Sequence, residues 1–282
     1  MPADLTSTRS TRVTEVRHLY DRRHRAQRGA FVVEGPQAVR EALRIATRDR
    51  SAGAPVTPGV LELYVTEAAA QRHPEFLAQA RDVGARVALA TEAVLEAMSE
   101  TRQSQGVLAI CPLVTQPIAD VLAAITSPDP LVVVLDRISD PGNAGTIIRT
   151  ADAMGADAIV LTEGSVDPHN GKCVRSTAGS IFHVAICADV PAVDAIEACR
   201  VAGLTLVAAD AHAPVALDAS HETLRGPLAW VFGSEAHGLH DDWRRGVQMT
   251  VRIPMPGRAE SLNLAASAAI CLYATQRTRS GA

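Results

Sequence analysis

The feature that most constrains this chain is a series of short, nearly continuous apolar runs in its second half. Residues 131–135 (L-V-V-V-L), 158–162 (A-I-V-L-T), 204–208 (L-T-L-V-A) and 228–232 (L-A-W-V-F) are each of strand length. None alternates apolar with polar, so these strands have no face turned to water. They belong in a sheet covered on both sides, the arrangement produced when helical crossovers join parallel strands. Segments of helical pattern lie between them at 146–154, 173–180 and 192–202. Further strands are expected at 183–187 and 249–253, and a terminal helix from 262 to about 276. The second half thus reads as an α/β domain.

The first half carries a weaker version of the same alternation. Val13, Val16, Leu19 and Tyr20 recur at helical spacing, and a strand at 31–33 closes on Glu34 and Gly35. Pro36 then opens a helix whose apolar face is Val39, Leu43 and Ala46, with proline suitably placed in the first turn. Strands at 60–65, 85–90 and 106–111 and helices at 74–83 and 91–98 complete a small α/β domain, interrupted by a Gly/Pro-rich stretch at 51–59. Pro112, Pro117, Pro128 and Pro130 crowd the next segment, which also holds a short helical pattern at 120–125. Proline density of this kind marks an interdomain connection. The expected organisation is therefore a first domain over 1–112, a linker over 113–130 and a second domain over 131–282.

Several function classes are disfavoured by composition. No run approaches the roughly 20 apolar residues of a membrane span, and the polar N-terminus has no apolar core of the kind a secretory leader needs; a cytoplasmic location is expected. Five scattered cysteines form no C-x-x-C pair, and His237 and His240 lack the spacing that sets two ligands on one helical face, so no metal is expected. The formal net charge of −4 argues against indiscriminate coating of nucleic acid, yet residues 9–50 carry eleven arginines against five carboxylates. Such a segment is either a solvated helix face or a surface for phosphates, which arginine grips with two parallel hydrogen bonds.

In open parallel sheets ligands bind beyond the carboxyl ends of the strands, and three loops there are unusual. The first follows residues 131–135 and reads D-P-x-N-x-G-x-x-x-R-x-A from Asp140 to Ala151, with Asn143 placed to cap a helix and Arg149 about one turn further in. The second, after residues 228–232, reads G-x-E-x-x-G-L, with Glu235 between Gly233 and Gly238. The third runs from I-P-M at Ile253 to S-L-N at Ser261, Leu262 and Asn263, and Ser261 suits a helix cap before an alanine-rich helix. Taken singly, each is equally an ordinary strand-to-helix turn.

In this order and spacing the three loops resemble the signature motifs of the SpoU/TrmH family of RNA ribose methyltransferases, within the SPOUT superfamily. The resemblance spans about residues 131–273, and Lys172, Arg175, Ser176 and Gly179 are similar to the family's segment between its first two motifs. F-V-V-E-G-P at 31–36 and Q-G-V-L-A at 105–109 resemble a substrate-binding domain related to ribosomal protein L30e.

The resemblance implies a C-terminal α/β domain threaded into a deep trefoil knot, a rare departure from unknotted chains. It implies S-adenosylmethionine held by backbone around Gly233, Ile253 and Leu262 with the loop near Ala209. It carries functional polar roles onto Asn143, Arg149, Glu235, Ser261 and Asn263. It further implies a homodimer acting on the 2′-hydroxyl of a structured RNA, with 23S ribosomal RNA expected ahead of transfer RNA. A non-catalytic RNA-binding factor of the same fold is the alternative from another class.

Overall fold

The computed structural model describes residues 3–51, 59–101, 103–234 and 238–281. The chain divides into two compact units, Met1–Leu113 with His169–His183, and Val114–Pro168 with Val184–Ala282. The first boundary thus falls where the proline-rich stretch begins. Residues within that stretch fold as the helix Ile118–Ala124, whose Val121 is buried in the second unit's core. Most of the Gly/Pro-rich stretch at 51–59 lies outside the described residues.

The first unit is built on four strands, β1 (Ala30–Glu34), β2 (Glu62–Val65), β3 (Arg86–Leu89) and β4 (Val107–Pro112), in the order β1-β4-β2-β3. β4 runs antiparallel to both neighbours, whereas β2 and β3 are parallel. Because strand side chains alternate between faces, Ala30 and Val32 of β1 join Leu108 and Ile110 of β4 on one side. They pack there against Val13, Val16 and Leu19 from the helix Thr11–His18 and Val94, Leu95 and Met98 from the helix Glu92–Met98. Phe31 faces the other way, its ring 4.7 Å from that of His169 and 6.0 Å from that of Phe182.

A second helix, Arg22–Arg28, has no apolar periodicity and escapes a reading by pattern. Its ends define it instead: the Asp21 carboxylate accepts from the backbone of Arg23 and His24, and Gly29 closes it at φ +64°. Arg25 from this helix is buried and donates to the carbonyls of Leu19 and Tyr20 at 3.0 and 2.7 Å. It thereby satisfies acceptors left over at the end of the preceding helix.

The second unit holds seven parallel strands: β5 (Leu131–Leu135), β6 (Ala158–Thr162), β7 (Ala185–Val190), β8 (Thr205–Ala209), β9 (Val215–Ala216), β10 (Leu228–Phe232) and β11 (Met249–Arg252). Their order is β7-β6-β5-β10-β8-β11-β9, and every pairing is parallel. One face is covered by the helices Ile118–Ala124, Ala192–Val201 and Asp241–Gly246, with Val121, Ile196, Cys199 and Trp243 buried against Val132, Val134, Leu206 and Val231. On the other face the helix Leu264–Arg279 packs along the helix Pro141–Ala153. Trp230, fully buried, donates its indole N–H to Thr275 at 2.9 Å.

Arg279 closes the terminal helix by donating to the carbonyls of Leu224, Gly226, Asp129 and Pro130. These acceptors lie just before β5 and β10, so one guanidinium ties the chain's last helix to the amino-terminal edge of the sheet. β10 is inserted between β5 and β8, and β11 lies beyond β8. This order makes the loops after β5, β8, β10 and β11 neighbours at the carboxyl edge, the place where such sheets bind ligands.

Candidate functional site

A cavity of about 990 Å³ opens at that edge. β8 contributes Ala209, β10 contributes Phe232 and leads to Gly233, and β11 leads to Ile253. Ser261, Leu262 and Asn263, at the entry to the helix Leu264–Arg279, complete this side. Loops far apart in sequence therefore meet because their strands are neighbours in space.

Gly233 sits there for a steric reason. A Cβ on it would lie 2.5 Å from both the carbonyl carbon and oxygen of Gly238, closer than any side chain tolerates. The crowding comes from the close approach of Ser234 and Gly238, which exchange backbone hydrogen bonds of 3.1 and 2.8 Å. Glu235, the carboxylate expected between them, lies outside the described residues.

The helix after β5 begins at Pro141, five residues before its expected start. Asp140, not Asn143, is its cap, accepting from the backbone N–H of Asn143 at 2.8 Å. The amide of Asn143 is thus available elsewhere, and its Oδ1 accepts from Nδ2 of Asn263 at 3.0 Å. The terminal helix is capped by Asn263 rather than Ser261, through Oδ1 bonds from the backbone of Ala265 and Ala266. Both differences have one origin: the caps lie where the backbone turns extended, a torsional choice that cap-forming residues a few places away do not reveal.

The earlier helix start also moves Arg149 from one turn to more than two turns in. Its side chain is exposed and, among the described residues, makes no hydrogen bond or ion pair. It does not line the cavity of its own chain.

The loop between β5 and this helix is pinned from below. Buried Asp136 accepts from Thr162 Oγ1 at 3.0 Å, and that same hydroxyl oxygen accepts from the backbone of Arg137 at 3.1 Å. The Ser165 hydroxyl accepts from Ile138 and donates to the carbonyl of Leu135. These bonds hold Arg137 at φ +53°, a conformation that non-glycine residues adopt only where surroundings enforce it.

Residues 130–273 match the model of the SpoU rRNA Methylase family, and residues 10–109 match that of the MRM3-like substrate binding domain. The chain belongs to the SpoU rRNA methylase family. The 23S rRNA (guanosine(2553)-2′-O)-methyltransferase of Bacillus subtilis is 30% identical over 95% of this chain and 96% of its own length. The 23S rRNA (uridine(2479)-2′-O)-methyltransferase of Streptomyces viridochromogenes is 34% identical over 69% of this chain and 68% of its own. An AdoMet-bound rRNA methyltransferase from Sinorhizobium meliloti superposes with a TM-score of 0.83 at 30% identity, covering 97% of each chain.

In this SpoU member, cavity residues beyond the motifs include Asp210, His212, Arg244 and Glu260. Asp210 and His212 directly follow β8, where the position of Ala209 was the available signal. Arg244 comes from the helix Asp241–Gly246, which carries no apolar period and is capped by His240. Asp210 is fixed at both ends, its backbone donating to Val251 and its carboxylate accepting from the backbone of His212. The cavity thus combines apolar walls from Phe232, Leu239 and Val251 with two carboxylates and a guanidinium.

The basic segment of the substrate-binding region is partly consumed by structure. Arg12 and Arg28 both donate to Glu62, Arg25 is buried, Arg44 pairs with Glu41, and Arg40 lies 5.4 Å from the centre of the Phe76 ring. Arg9, Arg17, Arg22 and Arg23 are exposed. Among the described residues no helix is long and apolar enough to cross a membrane, and no group of three or more metal-ligating side chains occurs.

Proposed function

We propose that this protein transfers a methyl group from S-adenosylmethionine to a ribose 2′-hydroxyl of ribosomal RNA. The observation that carries the reading is the single cavity shared by Ala209, Gly233, Ile253, Ser261, Leu262 and Asn263, joined to Asn143 by an amide–amide hydrogen bond. When bound, S-adenosylmethionine supplies the electrophilic methyl. The chain's own groups suit that ligand: apolar side chains for an adenine ring, carboxylates of Asp210 and Glu260 for hydroxyl and ammonium groups, and Arg244 for a carboxylate. Ala209, Gly233, Ile253 and Leu262 are assigned to holding it. Asn143, Ser261 and Asn263 order the loops around it, and Glu235 is assigned a polar role in the same cleft.

Arg149 is assigned to the RNA. A free guanidinium has a pKa above about 12 and makes a poor base, so its role is to grip the phosphate beside the reacting ribose and orient the hydroxyl. The proton leaves to that phosphate or to solvent. Orientation supplies much of the rate, since effective molarities of well-held reactants reach about 10⁵ M.

The active form is a homodimer in which each Arg149 serves the partner's cavity. Ile270 and Tyr273 are 38% and 56% exposed on the terminal helix, and Leu262, just before its cap, is 38% exposed. An apolar stripe of this kind is suited to a two-fold interface, and it lies on the helix that packs along the one bearing Arg149. Residues 253–263, leading from β11 to a helix packed beside β5's crossover, are proposed to thread the trefoil knot. Residues 1–112 are proposed as the RNA-binding domain and 131–282 as the methyltransferase domain, joined by 113–130, in a cytoplasmic enzyme.

The test is incubation of the purified protein with methyl-labelled S-adenosylmethionine and ribosomal RNA, followed by mapping of ribose methylation. Label at one ribose 2′-oxygen of 23S rRNA is expected. Binding of RNA without any label would leave a non-catalytic RNA-binding factor as the reading, and label on transfer RNA alone would move the substrate.

A further inference from the structure

The first unit contains a second cleft, of about 250 Å³. Its floor is apolar and buried, made by Ala38, Val107 and Leu108. Its rim carries three amides, Gln37, Gln103 and Gln105, and the hydroxyl of Ser104. Among the described residues the side chain of Gln105 makes no hydrogen bond. It lies against the backbone of Gly35, where φ is +90° and a Cβ would approach its Oε1 to 3.0 Å.

The back wall is Glu34, with side-chain exposure of only 9%. Its carboxylate accepts from Tyr20 at 2.7 Å, from Thr101 at 3.0 Å, from Arg175 at 3.1 Å, from the backbone of Glu100 at 3.3 Å, and from Ser99. Burial pushes this carboxyl up, but the Ser99 and Tyr20 hydrogen bonds and the Arg175 charge more than offset it, so it sits below the usual range. Arg175 also pairs with Glu100.

These contacts narrow the ligand. A metal ion would have to compete for a carboxylate whose lone pairs are already engaged. An anion would meet Glu34, and Arg175, the guanidinium in the lining, is already paired with both Glu34 and Glu100. What remains is a neutral, flat group whose edge offers donors and acceptors side by side, because an amide presents both, as Gln105 does here, whereas the Gln37 oxygen already accepts from Arg40 at 3.3 Å.

We infer that the cleft bounded by Gly35, Ala38, Val107 and the amides of Gln37, Gln103 and Gln105 is a pocket for one unpaired nucleobase of the RNA substrate. The inference rests on the methyltransferase reading for the identity of that RNA. Specific RNA recognition acts chiefly on splayed bases in loops and bulges, and this unit matches a substrate-binding family.

The test uses the full-length protein, 23S rRNA transcript and two variants, Gln105→Ala, which removes an edge reader, and Ser104→Trp, which fills the cleft from its rim. For each, RNA affinity is measured separately from methyl transfer. RNA affinity is expected to fall about tenfold in both variants, the scale of one lost base-edge contact, with KM for RNA rising in step, turnover at saturating RNA within about twofold of wild type, and S-adenosylmethionine affinity unchanged. In a short substrate with single abasic positions, one position should weaken binding to wild type but not to Ser104→Trp. Unchanged RNA affinity in both folded variants, or an abasic scan with no such position, overturns the inference. Should wild type bind RNA but transfer no methyl, the reaction assigned above fails while the affinity data still judge the pocket.

Discussion

The side-chain amide of Asn263 donates to Oδ1 of Asn143 at 3.0 Å while its own Oδ1 caps the terminal helix. One residue thus fixes the start of the last helix and ties it to the helix bearing Arg149. The two duties use different atoms, which makes them separable.

Asn263→Asp keeps the capping oxygen and adds favourable negative charge at a helix N-terminus, but loses the donor to Asn143. Its melting temperature should stay near wild type while methyl transfer falls at least tenfold. Asn263→Ala loses the cap as well and should cost about 1 kcal/mol of stability. Thermal melts and a labelled-methyl assay on the two variants check both halves; an active Asp variant would mean the amide link has no part in the reaction.

Arg149 has no partner among the described residues, so its removal should cost little stability. Arg149→Ala and Arg149→Lys should both lose about a hundredfold in turnover, because lysine cannot reproduce the two-pronged grip, with S-adenosylmethionine affinity unchanged by calorimetry. Near-normal turnover of the lysine variant at saturating RNA would exclude a planar role.

Gly233→Ala places a methyl group within 2.5 Å of Gly238 backbone. Overpacking of this kind costs about 1–3 kcal/mol, relieved here by moving Gly233 and Gly238 apart. We expect S-adenosylmethionine binding weakened at least tenfold by calorimetry, with a native far-ultraviolet spectrum. Wild-type affinity would show this contact to be irrelevant to the cofactor.

Glu34 gives a pH dependence with a definite sign. Its folded pKa lies below the ordinary value, so the unfolded chain binds the proton first as pH falls. The stabilisation is complete above the ordinary glutamate pKa of about 4.3 and is lost as pH drops through the folded value. Denaturant melts from pH 6 to pH 3 should show a steeper loss for wild type than for Glu34→Gln; equal slopes would show the carboxylate to be energetically idle.

The thiols of Cys187, Cys199 and Cys271 are pushed up to about 12 by burial. The folded protein should therefore leave them unreacted with iodoacetamide at pH 8, and full alkylation should require denaturant. Rapid native labelling of these three would contradict the packed core around them.

Sequence alone determined the elements whose signal is local. β5, β6 and β10 coincide with the apolar runs at 131–135, 158–162 and 228–232, because a strand buried on both faces leaves no polar residue to blur its ends. The family, too, was legible in three motifs, since their glycines, amides and arginine are dictated by chemistry at fixed points of one fold. Short polar helices were not legible: Arg22–Arg28 and Asp241–Gly246 are set by Asp21 and His240 at their starts rather than by a repeating apolar face. Only the tertiary structure decided which loops share a cavity, which of Asp140, Asn143, Ser261 and Asn263 cap helices, and which arginines are consumed internally. Those outcomes depend on β10 entering between β5 and β8, and on contacts such as Asn143 with Asn263 that join residues far apart along the chain; no local pattern of residues encodes either.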